Sequence, residues 1–279
     1  MTPLASCIMH PARMRCSENA LRVLISALVC ACAGGVAPAA DFGFEHGTAV
    51  VVLRSPRAIF AAVDSKETDS LYLDGKLTVD EHLMCKIRKV GPYYSIVAGV
   101  ARATNGFDAL QEVSTAYKPG DDMEKLGAAV RESVPLTLAP ILKTILEVDP
   151  AMFARTYAGQ AALQLTLVGS EQKSPKVLVV EFQAMKTKSG GVALSTRTMS
   201  CPGDCPSPNT SYFLGAHEAI DQLLRQSTSI LGRPDEGGTE KLIGLEYDSR
   251  PDIVGGPLSM LKISGSGSTV LRSGVCALN

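Results

Sequence analysis

From residue 49 apolar runs and alternations follow one another nearly to the end of the chain. Ala49–Leu53 and Ala58–Val63 are β-branched or small apolar runs separated by Arg54-Ser55-Pro56-Arg57, a pattern that predicts a hairpin. Lys86–Val90 and Tyr94–Ala98, split by Gly91-Pro92, predict a second one. The period then changes. Phe107, Leu110, Val113 and Tyr117 recur at helical spacing and stop at Lys118-Pro119-Gly120. Asp121 or Asp122 is placed to cap a second helix with Met123, Leu126, Val130, Val134, Leu138, Ile141 and Ile145 on one face. Pro135 and Pro140 fall inside that pattern and predict a kink or a break.

Farther on, Leu163, Leu165 and Leu167 alternate with Gln164 and Thr166, as in a half-buried strand. Val177–Phe182 is a continuous apolar strand, and Val192–Met199 follows a Gly190-Gly191 turn. Residues 200–211 are rich in Pro, Ser and Cys and predict a loop. Ala216, Ile220, Leu223, Leu224 and Ser227 predict a third helix, Thr239–Glu246 a fourth, and Leu258–Ile263 a late strand before a last one ending near Cys276. No internal repeat or long linker interrupts the series. Strands, two helices, strands, helices and strands in that order describe a layered domain rather than a regular βαβ alternation.

Composition narrows the class. The chain has 279 residues, 46% hydrophobic and 20% charged, enough apolar material for a sizeable core. Its formal charge of −1 gives no basic excess for phosphate contacts, so a nucleic-acid partner is not expected. At the amino terminus, Arg13, Arg15 and Arg22 precede the apolar stretch 23–29 and a small-residue run ending Ala37-Pro38-Ala39-Ala40. That order predicts a signal peptide over 1–40, a secreted or periplasmic protein, and no membrane span in the mature chain. A lipoprotein box with Cys32 as acceptor is the second reading of the same segment.

Of the eight cysteines, Cys85, Cys201, Cys205 and Cys276 lie beyond the leader. An even number in an exported chain predicts disulfides; Cys201 with Cys205 and Cys85 with Cys276 is one of three connectivities, all open at this level. No metal-ligand spacing and no cofactor motif stands out: GxxxxGK[ST] and HExxH are absent, and Ala216-His217-Glu218 lacks the second histidine. The serine-nucleophile motif GxSxG is absent too. Taken singly, a threonine at a strand start or an acid at a strand end has an ordinary structural explanation.

Together, several residues form a recognisable series. Gly47-Thr48 opens the first hairpin, Asp64-Ser65-Lys66-Glu67-Thr68 follows it, and Lys86-Ile87 and Ala98-Gly99 come next. In these residues the chain resembles the β-type subunits of the proteasome and their bacterial two-component relatives, in the N-terminal-nucleophile hydrolase superfamily. The resemblance is specific over about residues 47–117 and topological beyond. It implies an α+β fold, a four-layer αββα sandwich with two facing, mostly antiparallel sheets between helix layers. It implies a single domain over 48–279, a propeptide over 41–47 cut at Gly47, and Thr48 as a threonine nucleophile whose freed α-amine is the base. Asp64 and Lys86 complete the catalytic set, with Gly99 N–H as oxyanion donor. Thr68 and Lys66 would meet an extended peptide or amide substrate. Lys66 stands where the family has Arg, the family serine near the third helix is missing at Phe213–Ala216, and Asp252 is the accessory acid suggested by Pro251–Gly256. A homo-oligomer is a family habit. The alternatives are an inactive scaffold or binding protein of the same fold in the cell envelope, or an unrelated disulfide-bonded binding module.

Overall fold

The structure is a computed structural model, described here over residues 42–73, 76–227 and 234–278. The leader, with its export and lipoprotein readings, lies outside the described residues. Fourteen strands and five helices are found among the described residues. In chain order they are β1 (Phe42–His46), β2 (Ala49–Arg54), β3 (Ala58–Val63), β4 (Lys66–Leu73), β5 (Lys76–Leu83), β6 (Ile87–Val90), β7 (Tyr93–Gly99) and β8 (Arg102–Ala103). Next come α1 (Ala109–Ala116), α2 (Met123–Val148) and α3 (Pro150–Thr156). After these run β9 (Ala161–Glu171), β10 (Ser174–Lys186), β11 (Val192–Cys201) and β12 (Thr210–Gly215). Helices α4 (Glu218–Gln226) and α5 (Glu236–Ser249) and strands β13 (Ser259–Ser264) and β14 (Gly267–Ser273) complete the chain.

The strands form three sheets, ordered β5-β4-β1-β8, β11-β10-β9-β7-β6 and β12-β2-β3-β13-β14, with antiparallel neighbours throughout. This corrects the expected four-layer αββα sandwich. Among the described residues strand outweighs helix, 44% against 28%, and a third antiparallel sheet stands where two facing sheets were expected. The extra sheet comes from two stretches read differently in the sequence. One is the segment read as a propeptide, which is β1; the other is the stretch between the two predicted hairpins, to which no strand was assigned and which supplies the paired strands β4 and β5.

Side-chain alternation assigns each strand face to a core. Val177 and Val179 of β10 join Val52, Ile59, Ile96 and Leu261 in one apolar cluster. Leu178, Val180 and Phe182 of the same strand enter another, with Val134, Leu138 and Ile141 of α2. A strand buried on both faces reads as an unbroken apolar run, as β10 does. A third cluster sets Ala49, Val51 and Leu53 of β2 against Ile220 of α4 and Leu242 and Ile243 of α5.

Local signals account for the helix starts. Asp108 accepts from Gln111 N at 2.8 Å, and Asp122 accepts from Lys125 N at 2.8 Å, each supplying an N-cap. Helix α2 runs unbroken through Pro135 and Pro140, because its buried apolar face holds both halves in one register. The predicted loop ends earlier than expected. Phe213 and Leu214 belong to β12, paired with Val51 and Val50, and α4 begins only at Glu218. Disulfides join Cys85 to Cys276 and Cys201 to Cys205, the pairing that was one of three open connectivities. Among the described residues no helix is long and apolar enough to cross a membrane. The disulfides are compatible with an extracellular or periplasmic protein.

Candidate functional site

Thr48 lies between β1 and β2 with 2% of its surface exposed, and its carbonyl accepts a hydrogen bond from Ala216 N at 2.8 Å. Its hydroxyl donates to the carbonyl of Gly47, the residue before it. Gly47 has φ +105°, a conformation open to glycine at little cost, so the Gly47–Thr48 link tolerates its bend without a side chain in the way.

Lys86, the residue just before β6, has no exposed side-chain surface. Its ammonium is 3.1 Å from Asp64 Oδ1 and 3.4 Å from Glu67 Oε2. It also donates to the Gly47 carbonyl at 3.5 Å and to the Lys66 carbonyl. A buried ammonium needs such partners, since ion desolvation costs several kcal/mol or more. Asp64 follows β3 and is equally buried. Its oxygens accept from Ala49 N at 3.0 Å, Lys66 N at 3.2 Å and Gly255 N at 3.1 Å. Burial pushes the Asp64 carboxyl above its ordinary range, while Lys86 and the backbone donors pull it back.

Of the residues singled out in the sequence, Gly47, Thr48, Asp64 and Lys86 come together. Gly99 ends β7 opposite Leu163 and shares with Gly47 and Thr48 the lining of a cavity of about 310 Å³, together with His46, Tyr157 and Gly215. A side chain at Gly99 would put a Cβ 2.4 Å from the Ala162 carbonyl, and φ is +95° there, so the position admits only glycine without a shift of backbone.

Thr68 is buried in β4, and its register partner is His46 of β1. The strand edge that the resemblance assigned to an extended substrate is therefore paired with the chain's own segment. Lys66 contributes main-chain groups to the cluster, while its ammonium turns away to Glu81 at 2.9 Å and the Pro251 carbonyl at 2.7 Å. Asp252 is not brought to the cluster. Its carboxylate is mostly exposed and grips the Arg250 guanidinium at 3.1 Å through both oxygens, which holds its carboxyl below the usual range.

Two participants went unremarked in the sequence. Glu67 is a second buried carboxylate on Lys86, and its signal was its place inside Asp64–Thr68. His46 lies 2.9 Å from Ser70 Oγ through Nε2, and burial, then the nearby Lys86, holds its imidazole down at about 4. Alternation with Phe42 and Phe44 was the available signal for it. Among the described residues no group of three or more His, Cys, Asp or Glu side chains is placed to hold a metal ion. No protein-family model matches the chain, and no curated protein matches it by sequence.

Chemically, the arrangement puts a hydroxyl, an amide carbonyl and a carboxylate-held cation within reach of one another. The cation sits where negative charge would gather if the carbonyl were attacked.

Proposed function

We propose that this chain is an exported, self-processing threonine-type amide hydrolase, kin to the proteasome β-type subunits among the N-terminal-nucleophile hydrolases. One observation carries the reading. The Thr48 hydroxyl and the wholly buried Lys86 ammonium both contact the carbonyl of Gly47, and Asp64 holds that ammonium at 3.1 Å.

In the first reaction Thr48 Oγ1 bonds to the Gly47 carbonyl carbon. The Gly47–Thr48 C–N bond breaks, and the hydroxyl proton goes to the departing nitrogen. Water then opens the resulting ester, restoring the hydroxyl and leaving Thr48 with a free amine. An α-amine titrates near 7.7–8.0 unperturbed, and a neighbouring ammonium favours its neutral, basic form. In turnover the amine takes the hydroxyl proton as Oγ1 attacks a substrate amide and delivers it to the leaving amine; water releases the acyl group. Gly99 N–H is the oxyanion donor in this scheme, and an extended peptide adds as a strand beside Thr68.

Intact mass and N-terminal sequencing of protein from its natural compartment test the reading. A chain beginning at Thr48 that hydrolyses fluorogenic peptides is expected, with Thr48→Ala uncut and inert. A wild-type chain that retains residues 42–47 and cleaves no peptide overturns it.

A second reading has its own observation. Phe42 and Phe44 are buried, and β1 pairs on both sides, so the segment serves the fold as an ordinary strand. A non-catalytic scaffold or binding protein would keep it, and Thr48→Ala would then leave the terminal mass unchanged.

A further inference from the structure

Strand β1 is enclosed. Its residues from Phe42↔Tyr72 to His46↔Thr68 pair with β4, while Phe44↔Ala103 and Glu45↔Arg102 pair it with β8. Phe44 is 2% exposed, stacks on His46 with ring centroids 5.2 Å apart, and meets the Tyr157 ring edge-on at 6.3 Å. Phe42 lies 5.9 Å from Phe44 on the same face, and both belong to the cluster that contains Tyr72, Phe107 and Phe153. Two cavities already open against the strand. One of about 310 Å³ touches His46, Gly47 and Thr48, and one of about 560 Å³ touches Gly43 and Phe44.

The site thus holds an extended peptide whose carbonyl end meets the Thr48 hydroxyl and whose aromatic side chain, four residues before that junction, fills an apolar recess. We propose that the mature site selects extended peptides carrying an aromatic residue at the fourth position before the bond to be cut, in the recess that Phe44 fills. The inference rests on the hydrolase reading and deepens it. Departure of the segment leaves two strand edges, β4 and β8, with unmet backbone groups facing a gap one strand wide, which an incoming peptide satisfies by pairing. It also leaves, against the Tyr157 ring, the apolar space that Phe44 filled, open to a large side chain at that position. Alternation along a strand puts the second, fourth and sixth positions on that face, so a bulky group at the third or fifth does not substitute for it.

The test compares aminocoumarin amides of Phe-Gly-Phe-Glu-His-Gly and Phe-Gly-Ala-Glu-His-Gly on the processed wild-type chain, with N-terminal sequencing of the same sample. In each turnover the acyl group passes from the coumarin nitrogen to Thr48 Oγ1 and then to water, and the released aminocoumarin carries the proton. Burying a phenylalanine side chain predicts kcat/KM about 10- to 100-fold higher for the first amide. The free acid Phe-Gly-Phe-Glu-His-Gly should compete with it, and the alanine version should compete at least about tenfold less well. The change is made in the peptide, so folding of the enzyme is not at issue. A chain that starts at Thr48 and cleaves both amides equally overturns this inference and leaves the hydrolase reading standing. A chain that retains residues 42–47, or a processed chain that cleaves neither, overturns both.

Discussion

Lysine is almost never wholly buried without partners, and Lys86 shows why. Its ammonium is partnered by the carboxylates of Asp64 and Glu67 and by two main-chain carbonyls. Lys86→Met should leave two buried carboxylates facing each other without a cation, a loss of about 3–5 kcal/mol seen as a lower melting temperature. Lys86→Arg should fail to restore it, because a planar guanidinium does not fit the volume or geometry of a compact ammonium. His46 gives a pH prediction with a definite sign. Its folded-state pKa of about 4 lies below the unfolded value of 6.5, so the unfolded chain takes up a proton between those values that the folded chain refuses. The stability it contributes is complete above pH 6.5 and is lost as pH falls toward 4, up to about 3 kcal/mol. Urea melts of uncut Thr48→Ala at pH 7 and pH 4 should show that loss, and the same protein carrying His46→Gln should show less of it. A chain already cut at Gly47 lacks the histidine and the effect with it.

At the scale of elements, α2 carries the least expected feature. Pro140 is exposed inside a continuous 26-residue helix, where it supplies no N–H and crowds the preceding turn. Pro140→Ala should raise stability by about 1–3 kcal/mol, read from the denaturant midpoint. The strands with strong local periodicity were legible: β2, β3 and β7 follow their apolar runs closely, while β9 and β10 contain theirs and run on past both ends. Four others were not. Strand β1 was masked by its position after a leader-like segment, and β12 by a Pro- and Cys-rich approach. The β4–β5 hairpin was hidden by polar-rich strands, β4 largely buried and β5 exposed, although Asp-Gly at 74–75 is a strong hairpin dipeptide. Amphipathic patterns disappear where a strand has little apolar surface to hide.

For the molecule as a whole, the Cys85–Cys276 bridge matters most. It spans a sequence separation of 191 and ties the residue before Lys86 to the carboxy-terminal stretch. Closing a loop of that length restricts the unfolded chain by about 5 kcal/mol in the chain-entropy account. Reduction with dithiothreitol, or the double change Cys85→Ser with Cys276→Ser, should therefore lower the melting temperature well beyond the loss of the short Cys201–Cys205 loop. Differential scanning fluorimetry of the two separate disulfide knockouts checks the ranking. Equal shifts would contradict it.

What the residues determined alone was local: a helix cap at Asp121 or Asp122, strands apolar on both faces, and a glycine before a threonine at the head of a hairpin. Those properties depend on neighbours a few positions apart, and their spacing is visible in the chain. Tertiary structure alone decided that Asp64, Glu67 and Lys86 share one dry space, that Asp252 stays outside with Arg250, and that residues 42–46 complete a third sheet. Burial of a charge and pairing of a strand edge are settled by partners distant in sequence, whose approach follows only when the whole core closes.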